Sequence, residues 1–470
     1  MANVHSDYIE NVLLPEIVNN LNEKYISSKI EHSSGLDGFM SALYSVNLQT
    51  KSDNGLRDRQ LMVKVMKGDT DFRESSKSYI QFANEIYIYA KVLPEFNKIL
   101  KSVDINISVE DWVAHAYAAK FGFIEGLSSN TSANESVLVL ENLKPEGYVL
   151  GPRVYLSRNQ LISMARPLGQ YHAISYAMKL TENALWKKLV NGIVPLPFIN
   201  KSDPNDAKTN LYRPLYRVAF DRFYEFYDRK YNELFVQDSK SNEKLSKDLE
   251  NLREKYFTEP TLLLERLRTL AVERPEDEIF AAILHGDFNR NNVLFQYGHS
   301  DNADAQDHAK PVQNVKLIDF QELRYSTPVI DLSFFMFINT LEDIRYEVWF
   351  DILIEYHTHM LKTLSRVLKT NLAGKMSPEN IDKELEKYSF QNFYTHFRRY
   401  AIYGALICMH FLPWLLCSEK ECALLSNLFE TDMHSSEFHK ISLEAGGDEV
   451  NMRIFEILKL ASKFGYLNYL

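Results

Sequence analysis

The most informative segment of the chain is residues 283–295, which read ILHGDFNRNNVLF. One short apolar run leads into a polar loop and a second apolar run leads out of it, which predicts a strand, a loop and another strand. The loop contains His285, then Asp287 two residues later, and Asn292 five residues after that. The stretch therefore predicts a short loop, held between two strands, that presents imidazole, carboxylate and amide groups.

A second stretch supplies another carboxylate. Residues 315–321 read VKLIDFQ, a predicted strand that ends in Asp319. Phosphoryl transfer needs a carboxylate that orients the attacking hydroxyl group and accepts its proton, together with groups that hold Mg²⁺ against the phosphates. Mg²⁺ takes few protein ligands, and these are oxygen atoms. Asn292 and Asp319, at the mouths of adjacent strands, meet this need, although Asp and Asn also occur in ordinary turns.

Together the two stretches resemble the catalytic loop and the metal-binding loop of the protein-kinase-like fold. The His-Gly-Asp form is similar to that of aminoglycoside and choline phosphotransferases rather than to the His-Arg-Asp of protein kinases. The resemblance implies that Asp287 is the catalytic base and that Asn292 and Asp319 are metal ligands. It also implies that His285 is a structural residue that braces the loop.

The N-terminal part of the chain contains candidates for the nucleotide site of this fold. Lys64 lies in a predicted strand, where the fold places the lysine that contacts the α- and β-phosphates. Glu85 lies 21 residues further on, in the next predicted helix, where a glutamate pairs with that lysine. Glu141 closes the last predicted strand of the N-terminal lobe, at the hinge where backbone groups receive adenine in this fold. Each residue alone would be read as a surface charge, and their order favours the nucleotide site.

The candidate phosphate-covering loop lies just before the predicted strand at residues 40–48. Residues 33–40 read SSGLDGFM. Ser34, Gly35 and Gly38 are predicted to turn backbone N–H groups toward the phosphates. The loop differs from the three-glycine loop of protein kinases, and a Gly-x-x-Gly pair is also common in turns.

A further match narrows the family. Residues 319–332 read DFQELRYSTPVIDL, with Gln321 where protein kinases have Gly, and neither an Ala-Pro-Glu segment nor an activation loop is recognisable. Together with residues 82–96, this resembles the insect ecdysteroid-kinase-like (CHK-kinase-like) family. Similar members phosphorylate hydroxyl groups of small molecules, among them ecdysteroids. The resemblance implies ATP and Mg²⁺ as cofactors and Asp331 as a structural residue that buttresses the catalytic loop. Asn289 and Arg290 depart from the family, which often has Trp and another apolar residue there.

The order of patterns predicts an α+β, bilobal protein-kinase-like fold. We expect an N-terminal lobe over residues 1–145, with an opening helix, a β-sheet, one lysine-pairing helix and a hinge near Glu141. We expect a mainly helical C-terminal lobe over residues 146–470. In the N-terminal part, the predicted elements are a helix through Ile9–Leu21, strands at 40–48, 60–66, 113–124 and 136–140, a turn at 50–58 and a helix at 77–100. In the C-terminal part, they are helices at 157–180 and 216–235, strands at 281–284, 293–297 and 315–318, and helices from Ile330 onward. The charged residues 236–256 are predicted to be a solvated helix or an insertion on the surface of the lobe.

The composition limits the classes of protein. The chain has 470 residues, 45% hydrophobic and 25% charged, which excludes a disordered or collagen-like protein. The net charge of -10 argues against a general nucleic-acid binder, since phosphate binding relies on clustered Lys and Arg. Cys408, Cys417 and Cys422 lack metal-binding spacing and are predicted to be free thiols in a reducing compartment.

The N-terminus and the most apolar stretch of the chain suggest where the protein is located. The N-terminus, with Asp7 and Glu10, lacks the basic start and apolar run of a secretory signal. The most apolar stretch, residues 401–417, falls short of the roughly 20 residues that a membrane span needs. It is predicted to be a buried core helix, and we expect a cytoplasmic protein without a membrane span.

The leading hypothesis is an ATP- and Mg²⁺-dependent phosphotransferase that acts on a small alcohol, with an ecdysteroid or a related hydrophobic alcohol as the expected acceptor. The acceptor is expected between the Asp287 loop and C-terminal helices rich in aromatic residues. The alternative interpretation of those residues is ordinary core packing. They are Phe390, Phe393, Tyr394, Phe397, Tyr400, Tyr403, Phe411 and Trp414.

Other classes stay open at this point. A pseudokinase would keep the fold and bind nucleotide without transfer, although the presence of every candidate residue argues against it. A protein kinase would need an activation segment, and a pure binding protein would have no need of both loops. A kinase of a polar alcohol, such as choline or an aminoglycoside, should show acidic residues around the acceptor. The sequence leaves the oligomeric state open.

Overall fold

The computed structural model describes residues 2–33, 41–128, 134–152, 154–194, 196–198, 212–235, 240–256, 259–298, 311–432 and 435–470. Ten strands lie within these ranges. They are β1 Lys24–His32, β2 Ser41–Ser52, β3 Gly55–Met66, β4 Ala116–Gly122, β5 Glu135–Glu141, β6 Tyr148–Leu150, β7 Ala282–Leu284, β8 Val293–Tyr297, β9 Val312–Leu317 and β10 Arg324–Ser326.

The helices of the same ranges dominate the second half of the chain. They are α1 Ala2–Tyr8, α2 Leu14–Asn20, α3 Thr70–Ser75, α4 Ser78–Tyr87, α5 Leu93–Val103, α6 Arg158–Thr181, α7 Asn183–Asn191, α8 Tyr212–Leu234, α9 Lys240–Tyr256, α10 Pro260–Glu273, α11 Pro275–Glu278, α12 Val329–Ile338, α13 Glu342–Asn371, α14 Pro378–Glu386, α15 Phe390–Tyr400, α16 Ile402–Leu416, α17 Glu419–Asp432, α18 Ser436–Glu444 and α19 Gly447–Lys463. π-helical turns Ile9–Leu13 and Ile88–Val92 join α1 to α2 and α4 to α5.

The N-terminal lobe is a five-stranded antiparallel sheet in the order β1-β2-β3-β5-β4. Alternate residues of its central strands are buried, among them Tyr44, Val46 and Val63, and they pack against α1 and α2. Because successive side chains point to opposite faces of a strand, Lys64 lies on the other face of the sheet. The sheet therefore presents Lys64 on the face opposite the N-terminal helices.

Two features of this sheet differ from the sequence prediction. The hairpin strands are longer than expected, because most of the predicted turn at 50–58 is paired as β2 and β3, and only Asp53 and Asn54 turn. Strand β1 was not predicted. Its side chains are mostly exposed on both faces, so the sequence shows no alternation that would indicate a strand.

The predicted helix at 77–100 corresponds to α4, the π-helical turn and α5, which follow one another without a break. Pro94 lies in the first turn of α5, where the missing N–H costs no hydrogen bond. The predicted apolar face is buried, with Phe82, Ile86, Tyr89 and Leu93 each at most 5% exposed. The last three belong to the hydrophobic core of the C-terminal lobe rather than to that of the sheet.

The C-terminal lobe is organised around α6 and α13, which pack along each other. Gly169 is required at this crossing, since a Cβ atom there would lie 2.4 Å from the carbonyl oxygen of Tyr356. Two small sheets, β6-β8-β9 and β7-β10, carry the two predicted loops. The loop with Asp287 joins β7 to β8, and Asp319 follows β9. The mixed β-rich N-terminal part and mainly helical C-terminal part form the predicted bilobal protein-kinase-like fold.

The aromatic residues of the C-terminal helices are mostly core residues. Phe393, Phe397, Tyr400 and Tyr403 are each at most 2% exposed, whereas Phe411 is 37% exposed and packs on Phe334. The predicted core helix at 401–417 is α16, which is buried along most of its length.

Two further sequence expectations concern spans and thiols. Within the described ranges, no single helix has the length and apolar character of a membrane span, and only the bent pair Pro378–Tyr400 plus Ile402–Leu416 reaches these limits together. Cys408, Cys417 and Cys422 are free thiols, as predicted.

Candidate active site

The catalytic loop runs from β7 to β8 and contains a 3-10 turn at Arg290–Asn292. Gly286 has a φ of +88°, which favours glycine, and a Cβ atom there would lie 1.8 Å from the carbonyl oxygen of Glu322. The backbone therefore passes directly beside the segment that follows Asp319. This contact brings the two predicted loops together.

Asp287 is held by the two asparagines that follow it. Asn289 Nδ2 donates to Asp287 Oδ1 at 2.9 Å, and Asn292 Nδ2 donates to Asp287 Oδ2 at 2.8 Å. Burial, the largest cause, raises the pKa of the Asp287 carboxyl to about 8, and the negative charges of Glu322 and Asp319 add to this. The site thus contains a carboxylate with a greatly increased affinity for a proton.

Lys64 joins the two lobes. Its Nζ atom lies 3.0 Å from Glu85 Oε1, 2.9 Å from Glu85 Oε2 and 3.1 Å from Asp319 Oδ1. Burial alone would lower the pKa of Lys64, but the two carboxylates raise it, so the amine stays charged. Burial raises the pKa of Glu85, and Lys64 opposes this. The predicted Lys64–Glu85 pair is present in the structure, and Asp319 shares the same cation.

Asp319 and Gln321 extend this cluster. Asp319 has a φ of +65°, which is rare outside glycine, and its side chain is 36% exposed. In the amide orientation that satisfies both neighbours, Gln321 donates to Asp319 Oδ1 at 3.3 Å and accepts from Lys64 Nζ at 3.2 Å. Gln321, which stands where protein kinases have glycine, therefore contacts both Asp319 and Lys64.

Asp331 lies beneath the catalytic loop, at the start of α12. Its two carboxylate oxygens accept hydrogen bonds from the backbone N–H groups of His285 at 2.9 Å and Gly286 at 2.8 Å. His285 Nε2 lies 2.9 Å from the carbonyl oxygen of Ile318, and its ring lies 4.5 Å from that of Phe320. Burial lowers the pKa of His285, which favours the neutral ring. These contacts tie the catalytic loop to the Asp319 segment.

The remaining predicted residues stand apart from this cluster. The Glu141 N–H group donates to the carbonyl oxygen of His115 at 2.8 Å, so this donor is occupied within the fold. Ser34, Gly35 and Gly38 lie outside the described residues. The role of Glu141 in adenine binding and the role of the glycine-containing loop stay predictions.

The residues present fit a magnesium ion better than a transition metal. No group of three or more His, Cys, Asp or Glu side chains is arranged to hold a metal in the part of the chain that the structure describes. Asn292 uses its amide nitrogen on Asp287, which leaves its amide oxygen for another partner. The N–H group of Ile318 donates to the carbonyl oxygen of Asn292 at 3.0 Å, so Asp319 follows directly beside Asn292. One carboxylate and one amide oxygen suit Mg²⁺, which keeps several water ligands.

Sequence reasoning missed several residues that contact the site. Gln321 and Asn289 were noted only as departures from familiar patterns, yet each bonds to a predicted site carboxylate. Gln81 Nε2 donates to Glu322 Oε1 at 2.9 Å across the lobes. A polar residue four positions before Glu85, on the same helix face, was the available signal for Gln81.

Comparisons with known proteins agree with this geometry. The chain matches the ecdysteroid kinase-like family over residues 35–369, well over half of its length. No relative was found among curated proteins. Among solved structures, the macrolide 2'-phosphotransferase of Brachybacterium faecium, as the apoenzyme, matches with 10% identity and a TM-score of 0.27, covering 80% of this chain and 97% of that one.

The fold assignment rests on the two lobes and on the family match, and the structural match adds no argument of its own. The family match covers both loops of the site and the Lys64–Glu85 pair. The chain therefore belongs to the ecdysteroid kinase-like family and is a small-molecule phosphotransferase.

Proposed function

We propose that this protein transfers the γ-phosphoryl group of MgATP to a hydroxyl group of a small hydrophobic alcohol, such as an ecdysteroid. The observation that carries the proposal is the cluster of Lys64, Glu85 and Asp319 beside the Asp287–Asn292 loop. One buried cation, one strongly proton-binding carboxylate and two oxygen ligands are the groups that phosphoryl transfer requires.

Each residue has a separate task in this reaction. Lys64, held by Glu85, binds the phosphates of ATP. Asp319 and Asn292 would hold Mg²⁺, which would neutralise negative charge on the phosphoryl group. Asp319 accepts a hydrogen bond from Lys64 through Oδ1, and Gln321 contacts both of these side chains.

Asp287 orients the acceptor hydroxyl group and takes its proton. A pKa of about 8 makes Asp287 a stronger proton acceptor than an ordinary carboxylate. Asn289 and Asn292 hold both of its oxygens, so the carboxylate keeps one orientation. His285 and Asp331 fix the backbone on which Asp287 lies.

Arg268 is bonded to the strand that pairs with the entry to the catalytic loop, and we propose that its charge disfavours a cationic acceptor. Its carbonyl oxygen accepts from Ser326 at 2.6 Å, in the strand that pairs with the entry to the catalytic loop. Its guanidinium lies 3.3 Å from the ring centre of Phe198 and donates to Tyr403 Oη at 2.9 Å. Within the described ranges, no carboxylate lies at salt-bridge distance from Arg268. A fixed cation beside aromatic rings disfavours choline and aminoglycosides.

Two alternatives compete with this proposal. A pseudokinase would bind nucleotide without transfer, and the presence of Lys64, Glu85, Asp287, Asn292 and Asp319 in one cluster argues against it. A kinase of choline or another polar alcohol would need acidic residues to bind the cation. Glu322 lies near Asp287, but it is paired with Arg324 at 2.5 Å.

The test is MgATP binding and slow ATP turnover by the purified protein, followed by a screen of acceptors that begins with ecdysteroids. Asp319→Asn should weaken MgATP binding, and Asp287→Ala should keep binding and lose turnover. Asp351→Asn is the control, because Asp351 pairs with Arg158 on the surface of the C-terminal lobe. The proposal fails if the wild-type protein does not bind MgATP at millimolar concentration.

The acceptor class is tested separately. Turnover that ecdysteroids or other neutral alcohols stimulate, and that choline does not, supports the hydrophobic acceptor. Stimulation by choline or an aminoglycoside alone would leave the kinase activity standing and refute the acceptor class. Binding of MgATP with no turnover on any acceptor would favour the pseudokinase.

A further inference from the structure

Helix α4, which carries Glu85, packs both against the N-terminal sheet and against the large core that fills the C-terminal lobe. Ile86 of α4, with Ile88 and Tyr89 of the π-helical turn that follows it, belongs to this core, which also includes Leu138 of β5. The position of Glu85 relative to Lys64 therefore depends on contacts of α4 with both lobes.

The strongest polar contact of this kind is made by Asn84. Its side chain is buried, with Asn84 only 1% exposed. Nδ2 donates to the carbonyl oxygen of Val194 at 2.6 Å, and Oδ1 accepts from the N–H group of Val194 at 3.0 Å. One side chain thus satisfies both backbone groups of one residue in the segment after α7.

This pair restricts the movement of Glu85, the next residue along the chain. Any shift of α4 that separates Glu85 from Lys64 must also break the Asn84–Val194 pair. The break would leave buried amide and backbone groups without partners, which is costly. Tyr87, whose hydroxyl donates to the carbonyl oxygen of Leu189 at 2.9 Å, opposes the same shift with a second bond to this part of the chain.

The position of Glu85 matters because Lys64 has a second carboxylate within reach. Lys64 Nζ lies 3.1 Å from Asp319 Oδ1, and Asp319 is the residue proposed to hold Mg²⁺. If Glu85 moves away, Lys64 is left with Asp319 and Gln321 and competes for the metal ligand. A well-placed Glu85 keeps Lys64 in position and leaves Asp319 available to hold Mg²⁺.

We propose that Asn84 is a positioning residue for phosphoryl transfer, which holds Glu85 on Lys64 through its paired hydrogen bonds to the backbone of Val194. This inference rests on the proposed function, because it concerns the lysine that is proposed to bind the phosphates.

The experiment measures kcat/KM for MgATP with water as the acceptor, together with the unfolding midpoint of each variant. Asn84→Leu keeps the branched shape and the number of heavy atoms of the side chain and removes both hydrogen bonds. We expect kcat/KM to fall about tenfold, the equivalent of 1.4 kcal/mol. Asn339→Leu is the matched control, since Asn339 is also fully buried and donates to the carbonyl oxygen of Phe335 in α12. It should lower the unfolding midpoint and leave kcat/KM unchanged.

A double-mutant cycle separates positioning from general destabilisation. In a Glu85→Gln background, Asn84→Leu should cost less than about twofold in kcat/KM, because the interaction that it supports is already lost. An undiminished tenfold loss in that background would overturn the proposal. So would an unchanged kcat/KM for Asn84→Leu.

Two further outcomes are defined in advance. If Asn84→Leu does not fold, Asn84→Ser replaces it in the same cycle, with the same criteria. If the wild-type protein does not bind MgATP, both the proposed function and this inference fail. If it binds and turns over MgATP but Asn84 proves uncoupled from Glu85, only the positioning role fails.

Discussion

At the scale of single residues, Asp287 differs from the neighbouring carboxylates in the groups that it contacts. Asp319 is paired with Lys64 and Glu322 with Arg324, whereas Asp287 accepts hydrogen bonds from two neutral amides. Neutral donors do not offset burial in the way that a cation does. This difference explains why Asp287 has the raised pKa.

The raised pKa predicts a pH dependence of turnover. As the proposed base, Asp287 must be deprotonated to accept a proton, and its pKa is raised to about 8, so kcat/KM should rise with pH, reach half of its maximum near this pKa and level off at higher pH. Glu322 is the second cause of the shift, after burial. Glu322→Gln should therefore lower this pKa and move the rising limb of the pH–rate profile to lower pH.

The control for this prediction is Glu278→Gln, which removes a carboxylate that pairs with Lys179 elsewhere in the C-terminal lobe. It should leave the rising limb in place. A limb that stays unmoved in Glu322→Gln would show that Glu322 does not act on Asp287, or that another group controls turnover.

Residues with charges were predictable from the sequence, and residues that support them were not. Lys64, Glu85 and Asp319 were found because phosphoryl transfer restricts their type and the fold restricts their order. Asn84 and Gln321 are neutral, and neutral amides bond to whatever the folded chain places beside them. Their partners, Val194 and Lys64, are distant in sequence, so no local pattern identifies the pair.

At the scale of elements, the crossing of α6 and α13 holds the C-terminal lobe together. The close approach depends on Gly169, which lies within α6 and faces the backbone of Tyr356. Protein interiors are close-packed, so an added methyl group there must push the helices apart. An added methyl group at this position should therefore lower the stability of the protein more than it lowers the rate of the reaction.

Gly169→Ala should therefore lower the free energy of unfolding by about 1–3 kcal/mol, the usual cost of overpacking a core. The gain in helix propensity from Gly to Ala, about 1 kcal/mol, works in the opposite direction and reduces the net loss of stability. The control is Lys187→Ala, at an exposed position of α7, which should change the free energy of unfolding by less than about 0.5 kcal/mol. Urea unfolding measures both. A Gly169→Ala protein that is as stable as the wild type would show that the two helices separate freely.

Elements were predictable from the sequence where burial imposes a period. The face of α4 and α5 and the apolar alternation of β2 and β3 have such a period, and the prediction found them. Strand β1 lacks one, because it lies at the edge of the sheet with most side chains exposed. Its pairing with β2 depends on backbone hydrogen bonds, which leave no trace in side-chain hydrophobicity.

At the scale of the whole molecule, the described residues form two main hydrophobic cores, and Leu138 of β5 links the sheet to the larger one. One is formed by the sheet and the N-terminal helices, including Leu13, and the other fills the C-terminal lobe, including Ile454. The smaller core buries far fewer side chains, so it should open more easily. Because Ile86 of α4 belongs to the larger core, the Glu85 side of the site should stay folded when the Lys64 side opens locally.

This arrangement predicts local opening that hydrogen exchange can resolve. Leu13 and Ile454 are both fully buried, and replacing either with Ala should cost about 2–5 kcal/mol. Leu13→Ala should accelerate amide exchange in β2 and β3 and leave α12 and α16 protected, because the larger core is intact. Ile454→Ala should accelerate exchange in α12 and α16, and also in α4, whose buried face that core holds. Exchange mass spectrometry of the two variants distinguishes the cores. Equal acceleration throughout the molecule in Leu13→Ala would mean that the lobes unfold as one unit, and that the anchoring of α4 gives the Glu85 side no independent stability.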